Sequence, residues 1–261
     1  MTAAALAELL RDSTDLVAGP LRAEVATLPE QVRPVVAHHF GWRGPHDPHG
    51  ALGGGKAVRP ALVLLSAAAA GAPLEVAVPG AVAVELVHNF SLLHDDVMDG
   101  DRSWRHRPSA WVVFGERLAV LAGSALLVRS QARAVGAVRA RRRSPTRAYG
   151  AGPDRGPGAR PRAGVERRCE LRPWLRMAER KTAALVSTSA ALGAVLAEGP
   201  GALVDALSSF GRAVGLAYQA LDDLLGIWGD PLAHRKAHHL RPSPGQKDAS
   251  RRHPRLSKAG P

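Results

Sequence analysis

The stretch His94-Asp95-Asp96-Val97-Met98-Asp99-Gly100-Asp101 closes a strongly apolar run with a cluster of carboxylates. On a helix Asp95 and Asp99 are four residues apart, so their side chains stack on one face with Asp96 adjacent. Such a cluster repels itself, and at a helix C-terminus the macrodipole disfavours it further unless a cation is present. Oxygen-only ligands select a hard ion, which makes Mg²⁺ the natural candidate, keeping waters and bridging to phosphate. For one such string a solvated acidic helix end is the competing reading. A second pair, Asp222-Asp223, again on an apolar stretch and followed by Asp230, shifts the balance. Two such helices facing each other would wall a cavity for several Mg²⁺ ions.

Candidate cations flank these clusters. Lys56 and Arg59 follow the glycine run 53–55, and Arg105 and Arg107 follow the first acidic cluster. Cations in that number suit a ligand bearing a diphosphate. His88, two turns before Asp95, is placed to donate to a phosphate oxygen or, as lone helical histidines more often do, to pack.

The elements that must position these groups read as helices. Apolar residues recur at three- and four-residue spacing over 3–17, 21–39, 58–70, 76–98, 109–128, 174–197 and 203–228, with Gly19-Pro20 and Gly199-Pro200-Gly201 as turns. The fold class is therefore all-α, with helices long enough to line a central cavity. A composition of 46% hydrophobic but only 4% aromatic residues fits an Ala/Leu/Val core of packed helices. A single cysteine, Cys169, excludes a disulfide scaffold and fits a reducing compartment, so a cytoplasmic location is expected. No signal peptide is expected, and the apolar tract 61–87 is broken by Gly71, Pro73, Glu75 and Pro79, which predicts two helices and no integral membrane segment.

The net charge of +12 would suit a nucleic-acid binder, but its distribution argues otherwise. Residues 129–173 hold 13 Arg against 3 acids, and residues 231–261 hold 8 Lys and Arg against 1 acid. The remaining residues carry 14 basic and 19 acidic groups, so the helical part is mildly acidic. The two basic segments are rich in Arg, Pro, Gly and Ala, a composition that cannot bury a core. No nucleic-acid partner is expected.

Taken together, the motifs resemble those of the trans-type polyprenyl (isoprenyl) diphosphate synthases. Gly54-Gly55-Lys56-Ala57-Val58-Arg59-Pro60 is similar to the family's glycine-lysine motif, residues 94–101 to its first aspartate-rich motif, Lys181-Thr182 to its Lys-Thr motif, and residues 210–230 to its second aspartate-rich motif. Four motifs in order are far more specific than any one. The resemblance implies an isoprenoid-synthase-like bundle and head-to-tail condensation of isopentenyl diphosphate with an allylic diphosphate, usually by a homodimer. It implies Mg²⁺ held by Asp95, Asp96 and Asp99 on one side and Asp222 and Asp223 on the other, with isopentenyl diphosphate on Lys56, Arg59, His88 and Arg105. Lys181, Thr182 and Gln219 would contact the allylic diphosphate and shield the cation formed from it. Phe90, five residues before Asp95, would floor the cavity and set a short-chain product, geranylgeranyl diphosphate being favoured; otherwise Phe90 is core.

The chain also departs from the family. Trp104 stands where the first of two arginines is usual, Ser124 where an aspartate is usual, and Gly226 in place of the last aspartate of the second motif. The expected organisation is an N-terminal helical part (1–128), a disordered Arg/Pro/Gly-rich segment (129–173), a second helical part (174–230) and a basic disordered tail (231–261), which leaves the bundle incomplete. The abrupt changes of composition suggest segments translated out of frame. A catalytically impaired relative, or a truncated or pseudogene product that binds diphosphate or pairs with an active subunit, is the alternative. A terpene cyclase fits less well, because cyclases carry an Asn/Asp-x-x-x-Ser/Thr-x-x-x-Glu motif in place of the second aspartate pair. If Phe90 floors the cavity, Phe90→Ala lengthens the product, and an active variant with an unchanged product distribution by chromatography refutes that role.

Overall fold

The computed structural model describes residues 3–42, 57–104, 107–142 and 171–228. Its first helix, α1 (Ala3–Ala26), runs through Gly19-Pro20, where the sequence predicts a break. Val17, Leu21 and Val25 share one face and are all buried. Each such side chain is worth roughly 1.5–3 kcal/mol when buried, enough together to outweigh the roughly 3 kcal/mol that an interior proline costs. The chain turns instead after Ala26, where Thr27 Oγ1 donates to Glu24 O at 2.7 Å. α2 (Arg33–Phe40) follows, opened by Pro34 in its first turn.

The central helices are α3 (Val58–Ala69), α4 (Val78–Asp99), α6 (Glu116–Arg142), α8 (Ala184–Leu196) and α9 (Gly201–Trp228). α3 and α4 pack together, α6 lies against α4, α8 against α3, and α9 against α8, while α1 covers α3 and α4. Among the described residues the only departure from helix and turn is a hairpin of two residues per strand, β1 (Ser103–Trp104) and β2 (Arg107–Pro108). The all-α class expected from the sequence is the observed one. Residues lacking a Cβ set the spacing of α3, α8 and α9. A Cβ at Gly193 on α8 would collide with Val63 O and Ala67 N of α3, and one at Gly215 on α9 would meet Ala183 Cα at 2.5 Å. Close backbone approach here draws α9 toward α3 although no loop joins them directly.

Two expected helices are subdivided. The element predicted over 109–128 is α5 (Ala110–Phe114) followed, across Gly115, by α6. The one predicted over 174–197 begins three residues earlier as α7 (Leu171–Ala178), passes through a π turn (Glu179–Ala183) and continues as α8.

The boundary expected at residue 128 is corrected by α6, which continues without interruption to Arg142. Its arginines have a partner that composition does not disclose. Glu24 of α1, 5% exposed, accepts from Arg129 Nε at 2.6 Å and from Arg133 Nη1 at 3.1 Å. Residues 171–173 of the expected disordered segment open α7, while 143–170 and the whole 231–261 tail lie outside the described residues.

Among the described residues two helical stretches, Leu74–Asp99 and Glu116–Arg139, are long and apolar enough to cross a membrane by length and composition alone. In the first, 56% of the apolar window is buried inside the protein, which accounts for its composition; in the second the share is 28%. Val120, Leu121, Val128 and Val135 stand exposed on α6.

The Glu24 clamp generates a test of the docked arginine segment. Its carboxylate is buried, but the arginines are about a third exposed, so its removal should cost about 1–3 kcal/mol, between the values for surface and fully buried pairs. Glu24→Ala should lower the urea midpoint accordingly, and an unchanged midpoint would mean that residues 129–142 contribute no docking energy.

Candidate functional site

The last turns of α4 carry the first acidic cluster on a helix that is otherwise core. Residues 80–86 and Leu93 are buried, and the helix ends at Gly100, whose N–H is taken up by the carbonyls of Asp96 and Val97. Asp95 is half-buried, Asp99 is exposed, and Asp96 between them is only 2% exposed. The two carboxylates that share a face are therefore also the two that reach solvent. His94 anchors this end to α6: its Nε2 lies 3.0 Å from Val120 O, in space left open by Gly123. The ring of Phe90 meets His94 edge-on at 4.7 Å, half-buried against the core.

Two turns back along α4 from Asp95, a half-buried cation of α3, Arg59, meets His88. Arg59 Nη1 lies 3.3 Å from His88 Nε2, and its Nε is buried without a hydrogen-bond partner among the described residues. Burial pushes the Arg59 guanidinium below its ordinary range, an effect that Glu85 and then Tyr218 partly offset. Glu85, itself buried, accepts from Asn89 Nδ2 at 2.9 Å. A desolvated guanidinium with a spare donor favours an anionic ligand.

The second acidic pair is organised by a chain of hydrogen bonds. Thr182 Oγ1, in the π turn, donates to Gln219 Oε1 at 2.5 Å. Gln219 Nε2 donates to Asp223 Oδ1 at 2.8 Å, and Trp174 Nε1 donates to Asp223 Oδ2 at 2.7 Å. Thr182 and Gln219 are buried, whereas Lys181 and Asp222 are exposed. π turns recur at functional sites, and this one holds the Lys181-Thr182 pair.

Among the described residues no three His, Cys, Asp or Glu side chains gather closely enough to hold a metal by themselves. The donor set nonetheless fits Mg²⁺ in its usual protein setting. Asp95 with Asp99, and Asp222 with Asp223, are oxygen-only pairs, and that ion ordinarily takes one or two carboxylates, several waters and substrate phosphate oxygens. Of the predicted cations, Lys56 and Arg105 lie outside the described residues. The hairpin that leads into and out of Arg105 is tied to α2, with His38 Nε2 2.8 Å from Pro108 O and Arg107 Nη1 donating to His38 O at 3.3 Å.

Sequence reasoning passed over Glu85, Tyr218 and Trp174. Glu85 was within reach of it, three residues before His88 on the same helical face. Tyr218 lies one turn before Asp222 and was equally legible. Trp174 carries no comparable signal.

Residues 49–144 and 159–239 match the pattern of the polyprenyl synthetase family. The chain is 44% identical over 224 residues to a (2E,6E)-farnesyl diphosphate synthase of Mycobacterium tuberculosis, covering 83% of this chain and 61% of that protein. It is 40% identical over 236 residues to a geranylgeranyl diphosphate synthase of the same organism, covering 84% and 67%. Among solved structures it is similar to a polyprenyl synthetase from Streptomyces coelicolor A3(2), with a TM-score of 0.70 at 40% identity over 88% of this chain and 69% of that one. The chain thus spans about 61% of the length of the farnesyl diphosphate synthases it matches.

If Arg59 is the anion-binding cation, Arg59→Met should weaken binding of inorganic pyrophosphate about tenfold, the equivalent of about 1.4 kcal/mol. Unchanged affinity by titration calorimetry would remove Arg59 from the site.

Proposed function

The chain belongs to the polyprenyl synthetase family, and we propose that it is a prenyltransferase that condenses isopentenyl diphosphate with an allylic diphosphate to make a short-chain polyprenyl diphosphate. The observation that carries this reading is a half-buried, desolvated cation: Arg59 lies against His88 of α4 and feels Tyr218 of α9, the two helices that bear the acidic pairs. A desolvated guanidinium with a spare donor, next to helices that carry acidic pairs, suits a diphosphate carried together with hard cations.

In this reading Asp95 and Asp99 from α4 and Asp222 and Asp223 from α9 are the Mg²⁺ ligands. Asp96, buried beneath them, shapes the end of α4 and adds its charge from below. Mg²⁺, when bound, supplies Lewis-acid charge that stabilises the leaving diphosphate as the allylic C–O bond ionises. Lys56, Arg59, His88 and Arg105 bind isopentenyl diphosphate, whose double bond attacks the allylic cation with loss of a proton. Lys181 contacts the allylic diphosphate from its exposed place in the π turn, while Thr182 and Gln219 orient Asp223. The buried apolar length of α4 excludes the water that would quench the cation.

A short-chain product is supported by the two Mycobacterium tuberculosis relatives, a farnesyl and a geranylgeranyl diphosphate synthase. Phe90 is the proposed floor and geranylgeranyl diphosphate the proposed product. The apolar residues exposed on α6, Val120, Leu121, Val128 and Val135, favour a homodimer through that helix, and a cytoplasmic location goes with water-borne diphosphate substrates. The departures from the family pattern at Trp104, Ser124 and Gly226 favour testing a second reading, a relative that binds diphosphates without turning them over.

Incubation of the full chain with Mg²⁺, isopentenyl diphosphate and geranyl or farnesyl diphosphate should give elongated products, abolished by chelation and reduced at least about a hundredfold by Asp95→Asn. Binding of the substrates without elongation would replace this reading by that of the impaired relative, and absence of both would overturn either.

A further inference from the structure

Asp223 is held by a hydrogen bond at each of its two carboxylate oxygens. Its Oδ2 accepts the indole N–H of Trp174 at 2.7 Å and its Oδ1 the amide of Gln219 at 2.8 Å, and Gln219 is itself turned the right way round by Thr182 at 2.5 Å. Three elements, α7, the π turn and α9, thus converge on one carboxylate. Asp222, exposed beside it, stands outside this network.

We propose that Trp174 is a positioning residue for Asp223, fixing with Gln219 the carboxylate orientation in which its remaining lone pairs take a divalent cation. A carboxylate offers about four acceptor sites, so two hydrogen bonds leave room for a metal while removing rotation about the side-chain torsions. An indole N–H is a donor only and does not titrate. It cannot compete for the cation, and it cannot withdraw its bond as pH changes. Such outer partners set ligand orientation and basicity and are commonly worth about tenfold or more in metal affinity. The inference rests on the reading of Asp222 and Asp223 as a metal-diphosphate site.

The test uses the full chain and inorganic pyrophosphate with Mg²⁺. Trp174→Phe keeps the ring and deletes the N–H, and should raise the half-saturating Mg²⁺ concentration for pyrophosphate binding about tenfold by calorimetry. The effect should persist in an Asp222→Asn background and vanish in an Asp223→Asn background, because the indole acts through Asp223 alone. In the ¹⁵N-labelled wild type, one of the five tryptophan indole resonances, the one lost in Trp174→Phe, should shift on addition of Mg²⁺ and pyrophosphate. An unchanged half-saturation in Trp174→Phe, or an equal loss in the Asp223→Asn background, overturns the proposal. If Trp174→Phe does not fold, the wild-type spectrum decides, since the proposal fails if no indole resonance moves. Wild-type protein that binds no pyrophosphate with Mg²⁺ overturns the site reading and this inference together, whereas wild-type binding with an indifferent Trp174→Phe overturns the inference alone.

Discussion

Like charges on apolar helices are the constraint around which this structure is arranged. Two unit charges five to six ångströms apart repel by about 3 kcal/mol at an effective dielectric of 20, but by only a few tenths on a solvated helix surface. Exposure decides which figure applies. Asp99 and Asp222 are exposed and cost little; Asp95 and Asp223 are half-buried, and Asp96 is buried. Asp223 meets this with two neutral donors. The carboxylates on the end of α4 also oppose the helix dipole, so a cation there relieves two unfavourable contributions at once.

The complementary charge depends on backbone packing. Arg59 reaches His88 on α4 and lies near Tyr218 on α9 because α3, α8 and α9 approach closely at Gly193 and Gly215. A side chain at either glycine would push α8 or α9 outward and take Tyr218 away from the guanidinium. The contact between α3 and α8 thereby becomes part of the electrostatics of a site to which neither glycine contributes an atom. The desolvation of Arg59 follows from the same packing, and Glu85 keeps that desolvation from being prohibitive.

Much of this was legible in the residues, and the exceptions have physical causes. Helical period, the Asp95-Asp99 spacing and the order of the motifs pointed to the all-α class and to both acidic helix ends. Pro20 misled because punctuation is a local signal, whereas the Val17-Leu21-Val25 stripe is satisfied by tertiary burial. The boundary at 128 misled because arginine-rich composition reads as unfolded until a buried acid is found for it. Glu24, more than a hundred residues away, supplies that partner for Arg129 and Arg133. The division of the site into inward and outward aspartates was partly readable, since Asp96 is off the Asp95-Asp99 face.

The π turn explains why Trp174 left no trace in the sequence pattern. In an unbroken α-helix, with 3.6 residues per turn, the residue two turns after Trp174 is Lys181, and Thr182 would lie well round the cylinder. A π turn inserts one extra residue into the helix, so a separation of eight acts as seven. Trp174 and Thr182 then fall on one face, toward α9, where they bond Asp223 and, through Gln219, the same carboxylate. Lys181 is displaced outward and stands exposed. The one irregularity therefore performs two tasks: it brings a donor from α7 onto the acidic pair and turns a cation out toward solvent. A regular helix of the same composition could place either the tryptophan with the lysine, or neither with Gln219, and in both cases Asp223 would lose one of the bonds that orient it.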